Sequence, residues 1–132
     1  LDLGAPVQAE ISVDTTTVRV EARQVWTDTG VQVRAGDVLI IAVPSGSRWS
    51  PWPGDEFDAN GSGGDPLCRC NVLAGVSHAA LIGRIGENDP FLVGDRFRRS
   101  MGEAGPLYLG INDVDVYDNS GTLDVVVEVH ER

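Results

Sequence analysis

The sequence predicts an all-β chain, a β-sandwich of the jelly-roll kind with about eight or nine short strands. Three observations predict it. Through most of the apolar segments, apolar and polar residues alternate with a period of two, the pattern of a strand with one covered face. Turn signals rich in Gly, Pro, Asn and Asp recur about every ten residues. No stretch carries apolar residues at the roughly 3.6-residue spacing of an amphipathic helix. At 132 residues, 42% of them hydrophobic, the chain has the length of one domain and enough apolar content for one core.

Taken in order, residues 1–6 read as a linker-like entry. Val7–Val13 and Thr17–Ala22 read as strands, with Asp14-Thr-Thr-Thr a candidate turn between them. Val31–Arg34 is a half-buried strand, and Ala35-Gly36-Asp37 is a turn. Val38–Val43 is a β-branched run short enough for a strand covered on both faces. The pattern then breaks. Pro44 to Pro66 holds four of the seven prolines and is expected to be a long irregular loop, a kind of segment that often carries function. The apolar centre of Asn71–Ile85 is strand-like, and Gly83 suggests a bulge or a close backbone approach. Gly86–Pro90 is a turn and Phe91–Gly94 a short strand. Asp95–Gly105 reads as a strand with a turn or as one helical turn. Its arginines, Arg96, Arg98 and Arg99, form a solvated face that could pair with the excess acids. Leu107–Ile111 and Leu123–Val129 are alternating strands on either side of an acidic loop.

The charge balance narrows the function. Twenty acidic residues stand against ten basic ones, a formal charge of −10, and every basic residue is Arg. That argues against nucleic-acid and anionic-membrane partners and suits bound cations. No apolar run approaches the ~18 residues of a membrane-spanning helix, so no membrane insertion is expected. The opening Leu-Asp-Leu-Gly does not read as a signal peptide, so a mature product or a piece of a longer protein is expected. Cys68 and Cys70 are too few for a closed zinc site. A bridge between them would close a very small ring, so free or partly buried thiols are expected over an intramolecular disulfide, with pairing to another chain left open.

The loop between the last two strands holds Asn112, Asp113, Asp115, Asp118 and Asn119, closed by Ser120-Gly121. These are hard oxygen ligands on a short segment pinned by strands, and calcium suits them because it takes six to eight oxygens in irregular geometry. The same residue types also build ordinary turns. An EF-hand is excluded, because Tyr117 falls where an oxygen ligand belongs and Asp118 where the obligatory Gly belongs. In the Pro-rich segment, Trp49 and Trp52 flank Ser50-Pro51, and Asp55, Glu56, Asp58 and Asn60 follow. This is either a surface loop whose tryptophans plug the core edge or a binding loop with an aromatic face and orienting oxygens. His78 reads as a structural residue rather than a ligand. Catalysis is not expected. There is no Gly-x-Ser-x-Gly elbow, only two His are present, and Asp55, Glu56 and Asp58 lack positioned partners.

Four stretches together resemble the calcium-dependent, galactose-binding PA-IL-like lectins of bacteria. They are Gly36–Ile41, Trp49-Ser50-Pro51, Ala80–Gly86, and Leu109–Val114 with Asp118-Asn119-Ser120-Gly121. Their order and spacing match over roughly residues 25–129. The resemblance implies a galactose-binding-domain-like sandwich over 25–132, with residues 1–24 an uncovered part of the same domain. It implies one Ca²⁺ held by Asp113, Asp118 and Asn119, by the carbonyl of Trp49 and by a carbonyl of Asp115 or Val116. Sugar contacts would come from Asp113, Val114 and Asp118, with Trp52, Asp58 and Asn60 from the opposite loop. It also implies a non-catalytic lectin or carbohydrate-binding module for galactose-type glycans, secreted, periplasmic or at the cell surface, and able to form a homo-oligomer. The runner-up is a calcium-stapled structural or adhesive domain of a larger secreted or surface protein. Two departures stand out. The loop from Asp113 to Asp118 is shorter than in the lectins. The segment Asp55–Gly64, where they carry a His and a Gln toward the sugar, has neither, and His78, expected in the following strand, does not match that His.

Overall fold

The computed structural model of the protein describes residues 13–131. These form ten strands and no helix: β1 (Val13–Glu21), β2 (Thr27–Val33), β3 (Val38–Ala42), β4 (Trp49–Trp52), β5 (Asp55–Phe57), β6 (Leu81–Ile85), β7 (Phe91–Leu92), β8 (Arg96–Ser100), β9 (Gly105–Ile111) and β10 (Ser120–His130). They build two facing antiparallel sheets. In the first, β1 runs beside β10 from Glu21↔Thr122 to Val13↔His130. The other side of β10 is shared: β3 pairs with Val126–His130, and β4 pairs with Ser120 and Gly121. β8 continues beyond β3, and β5 beyond β4. The second sheet has the order β2-β9-β6-β7. The orders β1-β10-β3-β8 and β2-β9-β6-β7 are those of a jelly roll, with the β4–β5 hairpin inserted between β3 and β6.

The alternation read from the sequence becomes the core. Val18 and Val20 of β1, Leu39 and Ile41 of β3, and Leu123, Val125, Val127 and Val129 of β10 face Val31 and Val33 of β2, Leu81 and Ile85 of β6, and Leu107, Leu109 and Ile111 of β9. Gly83 is a close approach, since a Cβ there would press on the ring of Phe91.

Several expectations are corrected. The Asp14-Thr-Thr-Thr segment is not a turn but part of the first half of β1, because its β-branched threonines pair residue by residue with β10, from Asp14↔Val129 to Thr17↔Val126. The part of the Val7–Val13 strand before Val13 lies outside the described residues. The segment from Pro44 to Pro66 is not wholly irregular, because it contains the β4–β5 hairpin. Pro51 is accommodated there by a register shift between Trp49 and Trp52, where no ladder donor is needed. Asp95–Gly105 supplies a strand, β8, rather than a helical turn, and the total is ten strands rather than eight or nine. β3 is covered on both faces only at its start: on its outer row Val38 is buried, Ile40 half-buried and Ala42 exposed. His78 lies in a turn before β6 rather than in the strand. Finally, Cys68 and Cys70 form a disulfide, with Cα atoms 5.1 Å apart. The turn containing Arg69 brings the two Cα atoms within ordinary disulfide span despite their closeness in sequence.

Candidate functional site: the loop between β9 and β10

The acidic loop leaves β9 at Ile111 and re-enters the sheet at Ser120, which pairs with Ser50, while Gly121 pairs with Trp49. The C-terminal loop and the Trp49–Trp52 segment therefore adjoin each other. Asn112 is fully buried and serves as a clamp. Its Oδ1 accepts from the Leu73 amide (2.7 Å), and its Nδ2 donates toward the carbonyls of Leu73, Val76 and Ser77 (3.1, 3.2 and 3.2 Å). The loop of residues 70–78 is also tied to this one by the Val114 amide, which donates to the Cys70 carbonyl at 2.8 Å.

Asp113 is 2% exposed. Its Oδ1 accepts from the Asp115 amide at 3.0 Å, but its Oδ2 is buried without a hydrogen-bond partner. The Asn119 side chain, also 2% exposed, donates through Nδ2 to the Ala22 carbonyl at 2.8 Å, and its Oδ1 is likewise buried and without a partner. Burial raises the Asp113 carboxyl above its ordinary value, and Asp118 adds to the rise; the Asp115 amide, the Asn119 side chain and His78 offset part of it. One short loop thus carries two buried acceptor oxygens with no donor. That is costly for a protein alone and becomes favourable if a cation takes their lone pairs.

The opposite wall comes from β4 and the turn before β6. The Trp49 indole is core, 1% exposed, and donates to the Ala79 carbonyl at 2.9 Å, so only the backbone of Trp49 is left to act in a site. Trp52 is half-buried. It donates to Asp55 Oδ2 at 2.6 Å and lies parallel to the His78 ring, with centroids 5.8 Å apart. His78 is 5% exposed. Its Nδ1 is 2.8 Å from Asn71 Oδ1 and 3.4 Å from Cys70 Sγ, and its Nε2 is 3.8 Å from the unpartnered Asp113 Oδ2. Trp52, His78 and Asp113 therefore form one continuous row.

The structure thus gathers Asp113, Asp118, Asn119 and the Trp49 backbone at adjoining segments, with Trp52 near by. Val114, Asp115 and Asp118 are exposed, and Val116 is half-buried against the core. Asp58 and Asn60 are engaged elsewhere: Asp58 Oδ1 accepts from the Asn60 amide (2.9 Å) and Asn60 Oδ1 from the Asp95 amide (3.1 Å). No hydrogen bond among the described residues joins either to the 112–121 loop. Among the described residues no three or more His, Cys, Asp and Glu side chains cluster to hold a metal ion. A calcium ion here would draw on the two carboxylates, the Asn119 amide oxygen and main-chain carbonyls. That donor set suits a hard ion, and the two orphaned oxygens fit it. Sequence reasoning missed His78 and Asn71 as members of the site, because a lone His before a strand carries no spacing signal. Asn112 is a clamp, which a run of Asn and Asp cannot distinguish from a ligand.

No family model and no curated protein matches the chain. Among solved structures the chain has a likeness of fold. It is similar to the structure described as "EclA N-terminal domain; PllA-like lectin", with a TM-score of 0.62 and 24% identity, covering 89% of this chain and 96% of that one. That likeness shows the fold, an all-β sandwich.

Proposed function

We propose that the protein is a non-catalytic, calcium-dependent carbohydrate-binding domain for galactose-type sugars. The observation that carries this reading is the pair of buried, unpartnered oxygens, Asp113 Oδ2 and Asn119 Oδ1, on one loop braced against β4. A bound Ca²⁺ would supply coordination positions that vicinal sugar hydroxyls can occupy in place of water. Asp113 and Asp118 would accept hydrogen bonds from those hydroxyls. Trp52, backed by His78, would offer an apolar face to the sugar ring. The lectin-like fold supports carbohydrate as the ligand class. The Cys68–Cys70 bridge supports a location outside the cytoplasm, in line with the millimolar calcium there. Assembly of several copies would add avidity.

The test is calorimetric titration of D-galactose into calcium-loaded and chelator-stripped protein. Heat of sugar binding only in the loaded form is expected. Calcium binding with no sugar heat would instead favour an ion that staples two loops of a structural domain. Trp52→Ala should weaken galactose about tenfold or more, the effect of losing one stacking face, with calcium affinity unchanged. Loss of both would make Trp52 a structural residue.

A further inference from the structure

Beyond β3, on the same side of β10 as β4, β8 is an edge strand that among the described residues is hydrogen-bonded only to β3. Four of its five residues are exposed. Three of the chain's ten arginines fall within it, all exposed as a solvated face. Arg99 turns back over the stacked rings of Phe91 and Phe97, at 5.2 and 4.9 Å, and caps the opening between the two sheets. Arg96 and Arg98 stand on the outer face beside their partners Ala42 and Ile40 of β3. Between them runs a groove of about 280 Å³ lined also by Ile41 and Phe97. The expected pairing with acids does not occur: among the described residues no carboxylate lies within 4.0 Å of any β8 arginine, although acids outnumber arginines two to one.

We propose that β8 is a docking edge for an extended acidic peptide segment, which adds to the sheet as a further strand. Its Asp or Glu residues would sit at alternate positions beside Arg96 and Arg98. Three arguments select this occupant. An edge strand leaves a row of backbone N–H and C=O groups that only another polypeptide backbone matches in register; a polysaccharide or nucleic acid does not. Residues directly opposite on paired strands lie about 5 Å apart, so a carboxylate at every second position meets each guanidinium in turn. A second β8 would set arginine against arginine, so the same charges exclude the symmetric β8–β8 pairing and guard the edge against neutral strands. The net charge of −10 repels an acidic ligand at long range, but at physiological salt that repulsion is screened beyond about 8 Å, and the local patch governs the contact.

The proposal is tested by fluorescence anisotropy with a labelled six-residue peptide of alternating Glu and Val, at near-physiological salt. Saturable binding is expected. It should weaken about tenfold in an Arg96→Glu/Arg98→Glu variant, the factor for two cross-strand charge pairs. A milder Arg96→Gln/Arg98→Gln variant, checked for an unchanged unfolding temperature, should show the same direction. Binding should be lost for the same peptide N-methylated at alternate amides, which keeps its charge but cannot pair as a strand. Failure of the unmodified peptide to bind wild-type protein would overturn the proposal. So would equal binding of the N-methylated peptide, or binding of a polyuronate in preference to the peptide.

Discussion

Asp113→Asn should stabilise the calcium-free protein and abolish its response to calcium. The wild-type carboxylate is buried with one oxygen unpartnered, and an amide of the same shape removes the cost of an ionised group there. A gain of about 1 kcal/mol, a shift of a few degrees in unfolding temperature, is the expected scale. The pH dependence follows from the same residue. Burial raises the folded carboxyl above 3.8, so above that value the unfolded chain ionises first. The stability this group contributes is therefore fully present below 3.8 and is lost as pH rises through the raised folded value. Unfolding temperature measured against pH in chelator should fall across that interval in wild type, and this component should be absent in Asp113→Asn. Asn112 shows how residue identity alone misleads. It looks like a ligand in the sequence, yet its amide is consumed by the Leu73, Val76 and Ser77 backbone. Asn112→Ala should cost roughly 2–4 kcal/mol in urea unfolding, from several buried groups left unmatched.

At the scale of elements, the close fit of β9 to the segment before β2 rests on Gly110. A Cβ there would drive into the Val25 carbonyl oxygen and press on the Trp26 ring at 3.2 Å. Gly110→Ala should therefore cost about 1–3 kcal/mol, measured by denaturant unfolding. An unchanged midpoint would mean that the segment simply moves aside. The strands that carry the core were legible because their period of two survives burial: β9 and β10 hold Leu107, Leu109 and Ile111, and Leu123 to Val129, at every second position. β1 was split wrongly because Asp14-Thr-Thr-Thr has a turn composition, and the partner strand that overrides it is over a hundred residues away. The β4–β5 hairpin was hidden for a similar reason, since two prolines mask a four-residue strand whose Trp49 and Ser50 pair with the far end of the chain. The acidic loop was visible as oxygen ligands. The turn bearing His78 was not, because its place beside Asp113 and Trp52 comes from Asn112 holding the 73–77 backbone, a contact with no local signature.

For the whole molecule, the surplus of acid has two readable consequences. One is the contrast between the arginine edge at β8 and the acidic remainder. The other is the oxygen-rich mouth where the 112–121 loop meets β4, so the two proposed sites use different strands of the first sheet. If calcium binds only the folded chain, stability must rise with its concentration, by roughly 2.7 kcal/mol at about a hundredfold excess over Kd. The most direct measurement is a calcium titration of chelator-stripped protein by calorimetry, run on wild type and on Asp113→Asn side by side. One site with measurable heat in wild type, and none in the correctly folded variant, is the predicted result. Equal calcium binding by the two proteins, or no binding by either, would contradict a calcium site built on Asp113 and Asn119.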